Sequence, residues 1–390
     1  DEEDEEEDEA EEENEAEAHG EQTLVAPEND DAEQKWRSAA YAAQFDTEWD
    51  EASLDARAAE LEQSRAELVG LGPFRTFARA DAPSTLGGHG RRVAARKRLA
   101  ALGVLPSLSS RWVRTIGAKP LPDGASGFLS LLSSYMDVLY TTAPHAAGAL
   151  SSEALLPVLA LHTLQHLVVS TRQRLSHDRK KSDARDQGFT RPRVLVLAPF
   201  RSHALAFTRE LIRLLPEMYE QVENKHRFEK EFSEAEGAPQ VATAKPQDYR
   251  ALFEGNTDDC FRCAVRFTRK SVKLYASFYK ADLLVGSPLG IRLSMGEEGD
   301  KARDTDFLSS IELVVVLHAD VFLMQNWAHM TELFAHLNAL PKVPRDTDFS
   351  RVRWMGSRSA SGRRSSSRPW RRRSSTRSCN ASARTVQAVR

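Results

Sequence analysis

The sequence predicts an α/β body built on an open sheet of parallel strands. Three observations carry this. RVLVLAP (193–199), ADLLVGSPLG (281–290) and IELVVVL (311–317) are short apolar runs of the kind buried on both faces of a parallel sheet. Each run ends in turn or capping residues. The segments after the first and third place apolar residues three and four apart, the spacing of one helix face. In such sheets ligands bind beyond the carboxyl ends of the strands.

Taken in order, residues 1–34 read as a disordered acidic arm, because residues 1–18 hold 14 acidic side chains and no basic one. Two roles are open to such an arm, solubility and contact with basic partners. Residues 35–150 read as a mostly helical lead-in, best in WRSAAYAAQFDTEWDEASLDARAAELEQSRAEL (36–68). The basic cluster GRRVAARKRLAAL (90–102) is either a solvated helix face or a contact for RNA phosphates. Residues 151–350 form the regular part. It opens with the long helix LLPVLALHTLQHLVVSTRQRL (155–175), followed by a charged turn from Ser176.

After the first strand, Ser202 can cap a helix with Leu205, Thr208, Leu211, Ile212 and Leu215 on one face, stopped by Pro216. After the third, Leu323, Trp327, Met330, Phe334 and Leu337 line another helix. Residues 351–390 form an Arg/Ser-rich tail with 12 arginines and no acid. The net charge of −4 over 390 residues therefore averages two opposed ends around a nearly balanced centre. Three cysteines argue for a reducing compartment. No stretch approaches the roughly 18–20 apolar residues of a membrane span, so no membrane partner is expected. The chain starts at Asp1 rather than methionine and reads as a fragment of a longer protein.

The strand ends resemble those of superfamily-two helicases. LVLAPFRSHALAFTREL is similar to the segment running strand, Pro-Thr-Arg, helix, with Phe200 for the threonine and Arg201 retained. LLVGSPLGIRL is similar to the strand ending in Thr-Pro-Gly-Arg, here Ser287-Pro288-Leu289-Gly290. Leu317-His318-Ala319-Asp320 then stands where the Asp-Glu-Ala-Asp box falls. This order implies a RecA-like helicase-type lobe, a degenerate P-loop fold. It also makes Arg201, Ser287 and Gly290 the candidate contacts for an RNA backbone.

Hydrolysis of a nucleotide in such a lobe needs a phosphate loop with its lysine, a carboxylate for magnesium and another for water. The chain contains no G-x-x-x-x-G-K-[ST]; Leu317 and His318 replace the two acids. Leucine cannot bind a hard cation. Asp320 is left to cap the next helix. No catalytic residue, cofactor or metal site is expected. Cys260 and Cys263 form a C-x-x-C without a second pair at zinc spacing, and His162 and His166 sit at i and i+4 on an apolar helix without a glutamate between them.

Longer strings carry a closer resemblance. RDQGFTRPRVLVLAPFR, ENKHRFEKEF, LFEGNTDDCFRCAVRFTRKSVKLYASFYKADLLVGSPLGIR, DFLSSIELVVVLHADVFLMQNWAHMTELFAHLNALPK and DTDFSRVR together are similar to the digestive-organ-expansion-factor family over about residues 130–353. That resemblance implies a helicase-like component of the small-subunit processome, nuclear and nucleolar, acting in pre-rRNA processing toward 18S rRNA. The partners it implies are pre-rRNA, U3 small nucleolar RNA and processome proteins. Family members usually keep Asp-Gln-Ala-Asp or similar at the box, so Leu317 is a departure. After Arg353 the text turns abruptly to Arg/Ser where the family continues into a second lobe. A shifted reading frame in GC-rich DNA gives such text, and so does a genuine RNA-binding tail. Two other functions stay open: an ATP-dependent RNA helicase whose phosphate loop lies outside this fragment, and an RS-type RNA-binding adaptor.

Overall fold

The computed structural model describes residues 62–68, 72–78, 94–140, 152–180, 187–234, 244–345, 352 and 385–389, apart from Met136, Glu220, Arg269, Glu298, Lys301 and Pro344. The acidic arm and residues 35–61 of the lead-in fall outside this set, as does the Arg/Ser tail except for Val352 and residues 385–389.

The three apolar runs form β4 (Val194–Leu197), β8 (Leu283–Gly286) and β9 (Leu313–Leu317), every residue of which is buried. They lie side by side and parallel with β4 in the middle, so that Leu197 pairs with Gly286 on one side and Val316 on the other. The pleat sorts their side chains into two cores. Val194, Val196, Leu283, Val285, Leu313, Val315 and Leu317 join one, and Leu195, Leu197, Leu284, Val314 and Val316 join the other. Burial on both faces explains why the strands read as unbroken apolar text.

The sheet has eight strands, adding β3 (Val138–Tyr140), β5 (Gln221–Glu223), β6 (Arg262–Phe267), β7 (Ser271–Leu274) and β10 (Thr385–Val389). Their order is β3-β10-β9-β4-β8-β6-β7-β5, and β6 runs against both of its neighbours. The first core is covered by α1 (Ala95–Ala101), α2 (Pro106–Thr115), α3 (Asp123–Ser133), α4 (Ser152–Lys180) and α5 (Arg201–Arg213). The second is covered by α8 (Pro288–Met295) and by α10 (Trp327–His336), which also packs on α9 (Ala319–Met324). Two short helices, α6 (Lys225–Phe232) and α7 (Gln247–Phe253), flank the β5–β7 side and the β4 end.

Several expectations change. Residues 62–68 are not helical but form β1 (Glu62–Leu68), antiparallel to β2 (Gly72–Ala78). Ala66 and Leu68 are the apolar residues in that stretch, too few for a helix stripe, and Gly72-Pro73 opposes helical continuation. Helix α4 runs on through Lys180 into the expected charged turn. Its window Ala154–Thr171 is long and apolar enough to cross a membrane by length and composition, contrary to the sequence reading. Seventy-two per cent of that window is buried inside the fold, where it serves as the central core helix. The single helix expected after β9 is two. Asn326 breaks it, its side chain accepting the Ala328 amide at 3.1 Å to cap α10, and Leu323 is left 66% exposed rather than on the apolar face.

The antiparallel β6 is fastened to the parallel strands by one buried carboxylate. Asp282 accepts the Phe267 amide at 2.8 Å and the Arg191 Nε and Nη2 at 3.0 and 3.3 Å. Its own backbone joins β6 and the start of β4, through Val265 O and Arg193 N. Asp282→Ala leaves a buried amide and a half-buried guanidinium without this acceptor. It is expected to lower stability by about 3 kcal/mol in a denaturant titration.

Candidate functional site

Because β8, β4 and β9 are parallel neighbours, their carboxyl ends emerge along one edge and bring Phe200, Ser287 and His318 to it. What the chain does at this edge decides what can bind there.

At the end of β4 the helix α5 begins at Arg201. Ser202 does not cap it; the cap position is Phe200, in extended conformation and with no side-chain bond. The first amides of a helix have no partner inside the helix. Here they are met by a neighbouring loop: Arg201 N donates to Asp258 O and Ser202 N to Asn256 O, both at 3.0 Å. The loop presses close, since a Cβ on Gly255 (φ +84°) would lie 3.1 Å from the Ser202 Cβ. The Arg201 side chain locks it. Its Nε donates to Asp258 Oδ2 at 2.9 Å, Nη1 to Glu231 Oε1 at 2.6 Å and Nη2 to the Cys260 carbonyl at 3.2 Å, with the guanidinium over the Phe232 ring. Glu231 also accepts the Tyr275 hydroxyl at 2.6 Å. Although burial works against ionisation of Glu231, the Tyr275 and Arg201 bonds hold its carboxyl below the usual range.

Ser287 is 1% exposed, and its hydroxyl caps α8 by accepting the Gly290 amide at 2.9 Å. Its own amide donates to Phe261 O at 3.1 Å. Gly290 lies so near this backbone that a Cβ there would be 2.0 Å from Phe261 O. Both residues therefore hold α8 against the chain entering β6.

At the end of β9, Leu317 is buried in the core beneath α4 and α5. His318 takes a left-handed conformation (φ +49°, ψ +54°) and occupies the cap position of α9. Such a conformation is rare outside glycine and asparagine. It turns the imidazole onto His203, ring centroids 4.2 Å apart, and a line of rings continues through Phe200 to Phe253 and Tyr249. Burial, with His318 nearby, pulls His203 down to about 3; burial also lowers His318, against the pull of Asp320. Burial thus favours the neutral form of both rings. Asp320, expected to cap the helix, lies in its first turn, and the cap position is held by His318. Leu317, His318, Ala319 and Asp320 thus form an apolar strand end, an aromatic contact and a helix start.

The remaining sequence candidates are structural. His162 and His166 are buried in α4 against the Tyr135 ring. His166 joins Tyr135 Oη at 3.3 Å to Glu312 Oε2 at 3.0 Å, tying α4 to the start of β9. Burial and the adjacent His166 lower His162 to about 3. Cys263 is buried in β6 and its thiol is pushed up by burial to about 12, while Cys260 is half-buried. No group of three or more possible metal ligands occurs among the described residues. The closing loop and the His203 contact were not foreseen. Arg201 just after a strand was the available signal, but its partners lie 30 and 57 residues away.

A parallel-rich sheet with chemistry gathered at the carboxyl ends of β8, β4 and β9 describes an NTP hydrolase-like α/β protein. The family model for the UTP25, NTP hydrolase-like domain matches residues 135–361, and the chain belongs to that family. The digestive-organ-expansion-factor resemblance names the same family. Proteins named U3 small nucleolar RNA-associated protein 25 from Schizosaccharomyces japonicus and Schizosaccharomyces pombe are 44% and 45% identical over 227 and 226 residues. Each alignment covers 56% of this chain, and 34% and 33% of the respective relative. The U3 small nucleolar RNA-associated protein 25 homolog of Homo sapiens is 37% identical over 278 residues, covering 65% of this chain and 36% of its own. The chain thus spans about a third of the length of these relatives.

Gly290→Ala must displace backbone rather than a flexible side chain. It is expected to lower stability by about 3 kcal/mol, read from the denaturant midpoint at unchanged m-value.

Proposed function

We propose that the chain is a helicase-like, non-hydrolytic part of a U3 small nucleolar RNA-associated component of the small-subunit processome. In this reading it acts in the nucleolus as a scaffold during pre-rRNA processing toward 18S rRNA. The names of the relatives supply the setting. The geometry of the strand-end edge supports the non-hydrolytic mode of action.

A RecA-like lobe is supported by the run of parallel strands β3-β10-β9-β4-β8, with helices on both faces and the box residues at the end of β9. The observation that carries the absence of hydrolysis is the filling of the strand-end edge. A leucine side chain in the core and a neutral imidazole against His203 replace the magnesium and water carboxylates. Asp320 is the one acid left among the four box residues, and no group of three or more possible metal ligands occurs among the described residues. The helicase and RS-adaptor alternatives gain no comparable support from these residues.

The same geometry favours a structural part for the three expected RNA contacts. Ser287 and Gly290 are buried at the α8–β6 junction, and Arg201 is tied to two acids and a carbonyl. Arg201→Ala is expected to lower the melting temperature by several degrees. RNA affinity per folded molecule should stay unchanged in a filter-binding titration; a selective loss of affinity at full stability would return Arg201 to the RNA.

Purified protein is expected to show no RNA-stimulated release of phosphate from ATP. Leu317→Asp, which restores an acid to the box, should not create turnover. It should cost more than about 3 kcal/mol of stability, because the carboxylate enters an apolar core. Turnover above a protein-free blank and removed by Asp320→Asn would refute the non-hydrolytic reading.

A further inference from the structure

The helices before the family-matched region carry cations that the sheet does not use. Residues 94–135 contain six basic side chains and one acid, Asp123. Three of the six fasten this module. Arg98 Nε donates to Ser126 Oγ at 2.8 Å within it, Arg111 Nε donates to the Arg213 carbonyl at 3.0 Å, and Arg114 forms an ion pair with Glu217. The latter two dock α2 on the chain leaving α5.

The other three, Arg96, Lys97 and Lys119, are exposed and form no ion pair or hydrogen bond with any described residue. They also share a corner. Ala95 and Leu99 are the buried positions of α1, so Arg96 and Lys97 stand on its outer side. The Ala95 amide donates to the Ala118 carbonyl at 3.4 Å, which brings the start of α1 beside the backbone that leads into Lys119. In the sheet-bearing part Arg191, Arg201, Arg209, Arg213, Arg292 and Arg303 each face an acid, while Lys225, Lys230, Arg262 and Lys270 are exposed and dispersed over α6, β6 and the turn after β6.

We propose that Arg96, Lys97 and Lys119 form a docking site for the phosphate backbone of single-stranded RNA, separate from the strand-end edge. Unpaired exposed cations supply charge without desolvation of a partner acid, and phosphate contact is how proteins hold RNA without reading sequence. Arg96 adds a planar fork that suits a phosphate. The surrounding Ala94, Ala100, Ala101 and Ala118 offer no group to read a base edge. The choice of a polynucleotide over an acidic peptide rests on the proposed processome setting. The site itself does not depend on whether the lobe hydrolyses ATP.

The full chain and its Arg96→Gln/Lys97→Gln/Lys119→Gln variant should be titrated with a labelled 20-nucleotide oligouridylate and with an unrelated mixed sequence of equal length. All three side chains are exposed, so the melting temperature should be nearly unchanged. Affinity for both RNAs should fall by the same factor, on the order of tenfold at 50 mM salt. The slope of log affinity against log salt should become shallower by about 2, as three lost contacts to a single strand require. The variant Arg96→Lys/Lys97→Arg/Lys119→Arg should bind as the parent does. Arg111→Gln/Arg114→Gln removes charge from the same helices and should lower stability while leaving the slope unchanged.

Equal affinity and slope for parent and triple Gln variant would overturn the proposal. So would a slope change in Arg111→Gln/Arg114→Gln as large per charge as in the triple variant, which would mean that only net charge matters. A triple variant that loses affinity for a synthetic peptide of residues 1–18 but keeps its RNA affinity would assign the corner to an acidic protein segment instead. None of these results changes the outcome expected for phosphate release.

Discussion

The burial of β4 on both faces, between two parallel neighbours, is the constraint from which the rest of the structure follows. Residues 192–200 are all buried. Parallel strands cannot be joined by hairpins, so each connection must cross a face of the sheet, and α4, α5, α8 and α10 supply the two apolar covers. The strands then meet other chemistry at their ends. At the starting edge the chain is fastened. Arg193 O accepts the amides of Glu312 and Leu313, and Thr190 N donates to Ser310 Oγ at 2.9 Å. Gly188 is needed there, because a Cβ would lie 2.4 Å from that of Ser310. This leaves the finishing edge as the place where function can be written.

At the finishing edge the chain has closed on itself. An α5 start with open amides would bind an anion, and two carboxylates at the end of β9 would bind magnesium. Instead the amides are taken by the 256–258 backbone, the Arg201 cation is balanced by Glu231 and Asp258, and the β9 end carries a buried leucine and a neutral histidine pair. The charges at this edge, Arg201 with Glu231 and Asp258, are paired with one another. These features are what support the non-hydrolytic, scaffolding part proposed for the chain.

The sheet's centre was legible in the sequence because burial on both faces leaves an unmistakable trace: VLVL, LLVG and LVVVL contain no polar side chain. That a strand ends at Leu317 and a helix starts within the next residues was legible because those residues are consecutive. Features set by partners distant in sequence were not. Nothing near Arg201 announces Glu231, Asp258 or Cys260, so an arginine after a strand was taken for a ligand contact. Nothing near Gly290 announces Phe261. Helical periodicity also misled after β9, where Leu323 has the spacing of Trp327 and Met330 but sits on the exposed side of a break at Asn326. The antiparallel β6 and β7 escaped notice because RCAVRF and SVKL mix polar and apolar residues, as strands near an edge do.

Hydrogen exchange at the start of α5 tests most directly whether this edge is closed. The first amides of a helix ordinarily exchange fast for want of partners. With the edge closed, the Arg201 and Ser202 amides should exchange as slowly as those in the body of α5, and magnesium ATP should leave their rates unchanged. Rates typical of an open helix start, or protection that develops only when magnesium ATP is added, would contradict it and mark the edge as a working nucleotide site.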